Sequence, residues 1–103
     1  MPTILIIDDD EVITETTKIF LNRAGYDTLT ASNGAEGLKL CRQHQIDVVI
    51  TDIIMPEKEG LETIRELRKN FPNIKIIAIS GGGRINAQDY LSLAAKLGAH
   101  HTL

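Results

Sequence analysis

Three nearly continuous apolar runs, rich in Ile and Val, constrain the fold of this chain more than any other feature. They are residues 4–7, 48–50 and 74–79. Strands that are buried on both faces have this composition, whereas a strand with one solvated face alternates apolar and polar residues. A fourth run, residues 28–31, does alternate, which is typical of a strand nearer the edge of a sheet. The runs therefore predict four strands of one largely buried sheet.

Helical patterns occupy the intervals that follow these runs. The first is amphipathic and ends at Gly25, and the second begins with Asn33 and Glu36 as a capping pair. Strands that alternate with helices form βαβ units, so we predict a parallel α/β sheet with helices on both faces. The residues that define the four helical patterns are Val12, Ile13, Thr16, Ile19 and Phe20; Ala35, Leu38 and Cys41 as a buried side; Leu61, Ile64 and Leu67; and Tyr90, Leu91, Ala94, Ala95 and Leu97.

Composition limits the class of protein. The 103 residues are 43% hydrophobic and 24% charged, which fits one globular domain over residues 1–103. A formal net charge of −3 without a basic cluster argues against a direct nucleic-acid partner. The chain lacks an apolar run of the roughly 20 residues that a membrane span requires. Its single cysteine, Cys41, cannot form an internal disulfide, so we expect a reducing, cytoplasmic location and a core role for this side chain.

Acidic and hydroxyl side chains follow the predicted strands at the point where each strand ends. Asp8, Asp9 and Asp10 come after the first run, Asp52 after the third, and Ser80 with Gly81–Gly83 after the fourth. Ligands of doubly wound sheets bind at the carboxyl ends of the strands, so we expect these groups to converge. Carboxylate clusters suit a hard cation such as Mg²⁺ (or Mn²⁺). An aspartate beside that ion could act as nucleophile in phosphoryl transfer, and Ser80 with the glycine N–H groups could bind phosphoryl oxygens.

The motifs resemble those of one known family. They are "ILIIDDD", "DVVITDIIMPEKEG", "IIAISGGG" and "AAKLGAHHTL", and together they cover Ile4 to Leu103. In combination they resemble the CheY-like receiver domain of two-component response regulators. The resemblance implies a flavodoxin-like doubly wound parallel sheet of strand order 2-1-3-4-5 in a three-layer αβα arrangement. It also implies a regulatory domain rather than an enzyme with turnover.

The resemblance implies roles for particular residues. Asp52 would accept a phosphoryl group from a sensor histidine kinase or a phosphotransfer protein. Asp9 would hold the metal directly and Asp8 through water, and Asp52 and the backbone carbonyl of Ile54 would complete the protein ligands. Ser80 would be the switch hydroxyl that turns toward the phosphoryl group.

Further expectations follow from the same resemblance. Gly81 and Gly82 would contribute to the phosphoryl-binding loop, and phosphorylation would alter the surface around the fourth helix and fifth strand. Neither Ile54 nor Gly82 can orient a hydrolytic water, so we expect slow self-dephosphorylation.

The sequence also departs from the family pattern. Relatives carry a lysine and a fifth helix after the stretch that matches "GAHHTL", so we expect a truncated C-terminal strand, an absent last helix and weak switching. Thr102 replaces the usual aromatic or His switch residue. An incomplete sheet would favour a homodimer or pairing with a partner.

Two other functional classes compete with this interpretation. Asp8-x-Asp10 matches the signature of haloacid-dehalogenase-like phosphohydrolases, with Asp8 as nucleophile and Asp10 as acid/base. A flavodoxin-like or degenerate binding module that never carries phosphate is the second, although acids after the first strand would repel a bound phosphate. The simplest structural role for Asp10 and Glu11 is to cap the first helix and compensate its dipole.

Overall fold

The computed structural model describes residues 2–52, residues 60–79 and the backbone of residues 101–102. Secondary structure alternates between strands and helices along these segments, as the sequence predicted. The elements are β1 (Thr3–Ile7), α1 (Glu11–Arg23), β2 (Asp27–Ala31), α2 (Gly34–Gln43), β3 (Val48–Asp52), α3 (Gly60–Asn70), β4 (Lys75–Ile79) and β5 (His101–Thr102). The helix predicted around Tyr90 lies outside the described residues.

The five strands form one parallel sheet in the order β2-β1-β3-β4-β5. The predicted order is thus confirmed. β1 lies between β2 and β3, so the chain first moves to one side of β1 and then crosses to the other. Right-handed crossovers place α1 on one face of the sheet and α2 and α3 on the opposite face. The topology is therefore doubly wound, with helices on both faces.

The main apolar core lies between the sheet and the pair α2 and α3. Leu5 and Ile7 of β1 project into this core, and Ile64 and Leu67 of α3 cover them without any exposure to solvent. Because Gly37 has no side chain, α2 can approach β1 closely: a Cβ at this position would overlap the side chain of Ile7. Close packing of this kind explains why the core needs no large aromatic residue. Its remaining buried members are Ala31, Leu38, Cys41, Ile46, Val49, Ile74, Ile76 and Ala78.

Helix α1 forms as predicted, but its apolar stripe faces away from the sheet. Val12 is 73% exposed, Phe20 67%, Ile19 51% and Ile13 38%. The buried residue of this helix is instead Thr14. Amphipathic spacing normally indicates the face that packs on the core, and in α1 that inference is wrong.

The helix ends follow the predicted capping chemistry. Asn33 accepts a hydrogen bond from the Glu36 backbone N–H at 2.8 Å, and the Glu36 carboxylate accepts one from the Ser32 hydroxyl at 3.1 Å. Gly25 follows α1 with a φ of 97°, a left-handed conformation that glycine adopts without strain. Ala35, predicted on the buried side of α2, is exposed. The fourth strand begins at Lys75 rather than Ile74.

Among the residues that the structure describes, no helix has the length and apolar character of a membrane span.

Candidate functional site

Two aspartates are brought side by side by the pairing of β1 with β3. Ile7, the last residue of β1, pairs with Thr51, and the next residues along the two strands are Asp8 and Asp52. Parallel strands point their carboxyl ends in the same direction, so both carboxylates lie at one edge of the sheet. Asp9 follows directly and lies at the same edge. Residues separated by more than forty positions in the sequence are therefore neighbours here.

The three carboxylates form a compact cluster. Asp8, Asp9 and Asp52 each offer an oxygen, and these oxygens lie within 4.8 Å of one another. Asp8 is 3% exposed and Asp52 6% exposed, whereas Asp9 is open to solvent. Asp8 and Asp52 are thus shielded from water, and the exposed Asp9 keeps the cluster accessible to solvent. The predicted convergence of these three residues is observed.

The protonation of Asp8 responds to this crowding. Burial is the largest cause that raises its pKa, from 3.8 to about 6. The charges of Asp52 and Asp9 raise it further, and the hydrogen bond from the Asp10 backbone N–H to Asp8 Oδ1, 2.9 Å long, lowers it. A cation placed among the three carboxylates would favour the charged form of each.

Asp10 and Glu11 belong to the helix rather than to the cluster. Asp10 is the N-cap of α1, and its Oδ1 accepts hydrogen bonds from the backbone N–H groups of Val12 at 2.9 Å and Ile13 at 3.4 Å. Glu11 lies in the first helical turn, where a negative charge is favourable. The predicted division of the acidic stretch is observed. It also removes Asp10 from the acid/base role that the phosphohydrolase alternative required.

The donor set fits a hard divalent cation. Mg²⁺ prefers oxygen ligands and keeps several waters, so a few carboxylates at an open edge are sufficient protein. The exposed Asp9 gives the ion access, and the buried Asp8 and Asp52 bring two further carboxylates to it. Cys41, the single cysteine of the chain, is buried in the core, and burial raises the pKa of its thiol to about 11.

Four of the predicted site residues lie outside the described residues. They are Ile54, Ser80, Gly81 and Gly82. The strand that precedes Ser80 is described, and its last residue, Ile79, pairs with Asp52. The sequence did not indicate which acid would be the most buried, because that depends on how α1 and the β1–α1 turn close over Asp8.

Comparison with known proteins identifies the family. The model of the response regulator receiver domain family matches residues 4–103. The chain belongs to this family. The receiver-domain interpretation of its motifs and its CheY-like fold are thereby confirmed.

Several receiver proteins are similar to the chain. A probable C4-dicarboxylate response regulator, DctR of Bacillus subtilis, is 36% identical over 98 residues, which is 93% of this chain and 42% of that protein. A receiver-domain crystal structure from Clostridium thermocellum is 38% identical with a TM-score of 0.90, and covers 100% of this chain and 81% of the other. The response regulator TrrA of Thermotoga maritima, solved in complex with Mg²⁺ and BeF, is 35% identical with a TM-score of 0.86, at 100% and 85% coverage. The chain spans less than half the length of the curated relatives it matches.

Proposed function

We propose that this receiver domain accepts a phosphoryl group on Asp52 from a sensor histidine kinase or a phosphotransfer protein, with Mg²⁺ or Mn²⁺ as cofactor. The observation that carries the proposal is the approach of the Asp8, Asp9 and Asp52 carboxylates to within 4.8 Å at one edge of the sheet. An all-oxygen site beside a carboxylate nucleophile is the arrangement that phosphoryl transfer requires. The TrrA complex with Mg²⁺ and BeF, in a relative 35% identical to this chain, supports the choice of ion.

The reaction on Asp52 is a displacement at phosphorus. A carboxylate oxygen of Asp52 forms a bond to phosphorus while the P–N bond of the donor phosphohistidine breaks. The bonding electron pair passes to the imidazole nitrogen, and the product is an acyl phosphate on Asp52. β3 fixes the backbone of Asp52 at the end of a paired strand, which would help position its carboxylate for an in-line approach.

The cation would be held by Asp9 directly, by Asp8 through water, by Asp52 and by the backbone carbonyl of Ile54. When bound, it neutralises carboxylate charge and the charge that develops on the phosphoryl oxygens. The negative charge of Asp8 is buried and is unfavourable without a counter-ion. It would therefore favour the binding of a cation. Asp9 contributes an accessible carboxylate at the entrance.

Ser80 is proposed as the switch residue, with Gly81 and Gly82 offering backbone N–H groups to the phosphoryl oxygens. The phosphoryl group adds about −1.5 to −2 charge, and these donors would move toward it. The surface around the fourth helix and fifth strand would change and be recognised by an effector. The domain thus acts as a phosphoprotein in a phosphorelay, in the cytoplasm, and its own chemistry is limited to accepting and slowly losing the phosphoryl group.

The test is labelling with a small acyl-phosphate donor in the presence of Mg²⁺, followed by intact mass measurement. We expect wild type to gain one phosphoryl group and Asp52→Asn to gain none. Asp10→Asn is the matched control at an acid outside the cluster and should be labelled normally. A label that persists in Asp52→Asn and disappears in Asp8→Asn would favour the phosphohydrolase alternative instead.

A further inference from the structure

Thr51 is a fully buried polar residue in the middle of the sheet. It follows the apolar run 48–50 and pairs with Ile7 on one side and with Ala78 on the other. Its side chain has no exposure to solvent and lies on the same face of β3 as Val49, a member of the main apolar core. Valine has nearly the shape of threonine, whereas a buried hydroxyl group costs free energy unless it forms a hydrogen bond. The hydroxyl at this position therefore requires a partner.

The partner of this hydroxyl is the backbone of the proposed phosphoacceptor. Thr51 Oγ1 donates a hydrogen bond to the backbone carbonyl oxygen of Asp52, with 3.1 Å between the two oxygen atoms. Successive side chains of a strand project from opposite faces, so the Thr51 hydroxyl does not enter the carboxylate cluster. Its influence on the cluster therefore passes through the backbone of Asp52.

This hydrogen bond acts at the end of a strand. Asp52 is the last residue of β3, and its pairing with Ile79 holds the backbone within the sheet. The Thr51 hydroxyl holds the carbonyl group that follows the Asp52 Cα. Because a peptide unit is planar, a hold on the carbonyl oxygen restrains the whole unit through which the chain leaves the strand. Threonine is branched at Cβ and restricted at χ1, so its buried hydroxyl is a rigid donor.

We propose that Thr51 is a positioning residue for the phosphorylation of Asp52. This inference rests on the proposed function of Asp52. By holding the Asp52 carbonyl, the Thr51 hydroxyl restrains the backbone from which the carboxylate projects, and so keeps the carboxylate directed toward the cation and the incoming phosphorus. A carboxylate that is less well directed binds the cation more weakly and reaches the in-line geometry less often. The methyl group of Thr51 contributes to packing alone.

Two substitutions separate the hydroxyl from the packing at this position. Thr51→Val keeps the branched shape and removes the donor, and it should weaken Mg²⁺ binding about two- to tenfold, the range expected for one hydrogen bond. At saturating Mg²⁺ it should slow the phosphorylation of Asp52 by a small acyl-phosphate donor by a similar factor. Thr51→Ser keeps the donor and loses the methyl group. It should therefore lower the stability of the domain while Mg²⁺ affinity and phosphorylation rate stay close to those of wild type.

Three measurements give these quantities. Isothermal titration calorimetry gives the Mg²⁺ affinity, the time course of intact mass gives the phosphorylation rate, and urea denaturation gives the stability. Thr28→Val is the matched control, because it also removes a strand threonine hydroxyl that donates a hydrogen bond, to Asn22 Oδ1 at 2.9 Å. Thr28 lies in the amino-terminal half of the edge strand β2, away from the carboxylates. Its substitution should leave Mg²⁺ affinity and phosphorylation rate unchanged.

The carbonyl of Asp52 can also be observed directly in the metal-free protein. Asp52–Ile53 is the one Asp–Ile pair in the sequence. Carbonyl-¹³C aspartate combined with ¹⁵N isoleucine therefore gives a single carbonyl–nitrogen cross-peak in NMR spectra, which belongs to Asp52. Loss of a hydrogen bond at a carbonyl oxygen moves the resonance of the carbonyl carbon upfield. We expect this shift in Thr51→Val and not in Thr51→Ser or Thr28→Val.

The outcomes distinguish this inference from the proposed function on which it rests. If wild type is phosphorylated on Asp52 and Thr51→Val equals it in Mg²⁺ affinity and in rate, the positioning role is wrong and the proposed function stands. Equal losses in Thr51→Val and Thr51→Ser would also overturn the positioning role, because packing rather than the hydroxyl would then be responsible. A wild-type chain that gains no phosphoryl group would contradict the proposed function, and the positioning role with it.

Discussion

Asp8 occupies an environment that is unfavourable to its charged form. Its pKa is raised to about 6, above the 3.8 of an exposed aspartate, so the folded protein binds this proton more tightly than the unfolded chain. The corresponding stability is fully present below about pH 3.8 and is lost as the pH rises through about 6. The size of the effect is at most about 3 kcal/mol at one site.

This linkage predicts a pH dependence of unfolding in the presence of a chelator. The part of the free energy of unfolding that is due to Asp8 should fall between about pH 4 and pH 6. Asp8→Asn should remove this part of the slope and stabilise the metal-free protein at neutral pH, because the amide keeps an acceptor for the Asp10 N–H. Urea titrations at a series of pH values measure both effects, with Asp27→Asn, at an exposed acid of β2, as the control. An Asp8→Asn profile that is parallel to wild type would contradict the prediction.

Asp10 has a structural role that can be separated from chemistry. Asp10→Ala should cost about 1 kcal/mol of stability, because the N–H groups of Val12 and Ile13 lose their acceptor. Asp10→Ser should retain most of that stability, since a hydroxyl also caps a helix. Chemical denaturation gives the stabilities and the labelling assay gives the chemistry. Loss of labelling in the folded Asp10→Ser variant would show that Asp10 does more than cap the helix.

Ile54 offers a residue-scale prediction about lifetime. An aliphatic side chain two positions after Asp52 cannot hydrogen-bond a water, so the acyl phosphate should be lost slowly. Ile54→Asn should accelerate the loss several-fold, and Ile54→Leu should not. The time course of the phosphorylated mass after removal of the donor measures this rate. Equal rates in wild type and Ile54→Asn would be contrary to expectation.

At the scale of elements, the sequence predicted which helices and strands form but not every packing direction. Strand ends follow from the apolar runs, and this is why the convergence of Asp8, Asp9 and Asp52 could be predicted. The stripe of α1 has the right period for a buried face, yet Thr14 is buried instead. Periodicity indicates that the two faces of a helix differ in polarity, but it does not indicate which face packs against the sheet. Ala35 was misassigned in α2 because the buried side of this helix is formed by Gly34, Gly37, Leu38 and Cys41, and Ala35 lies beside that face rather than on it.

The close approach of α2 to β1 predicts a sharp difference between two positions of one helix. Gly37→Val should destabilise the domain by about 1 to 3 kcal/mol, because the new side chain overlaps the buried Ile7. Ala35→Val, at an exposed position of α2, should cost only about the few tenths of a kcal/mol expected from helix propensity. Urea denaturation of the two variants makes the comparison. Equal costs at the two positions would show that α2 can move away from β1.

At the scale of the whole molecule, the proposed cation site would couple cation binding to folding. The cluster exists only when β1 and β3 are paired, so a cation that binds it stabilises the native state alone. The melting temperature should therefore rise with the logarithm of Mg²⁺ concentration. Asp9→Asn should weaken this response without loss of basal stability, since Asp9 is exposed.

Differential scanning fluorimetry with Mg²⁺ measures that response, and Asp47→Asn, an exposed acid at the opposite end of the sheet, is its control. An Asp9→Asn variant with the wild-type response would exclude Asp9 as a ligand. The sequence predicted that the three acids converge, because all three follow predicted strands. It did not predict the difference in burial between Asp8 and Asp9, which arises from the packing of several elements.

The single thiol of Cys41 has a practical consequence for observing this molecule in motion. It lies in the core between α2 and the sheet, and the high pKa of its buried thiol keeps the reactive thiolate scarce. Separation of α2 from the strands would expose the thiol fully to a thiol-specific reagent. The rate of modification would therefore report how often α2 separates from the sheet. Cys41 is a natural probe of this motion, so no substitution is needed to introduce one.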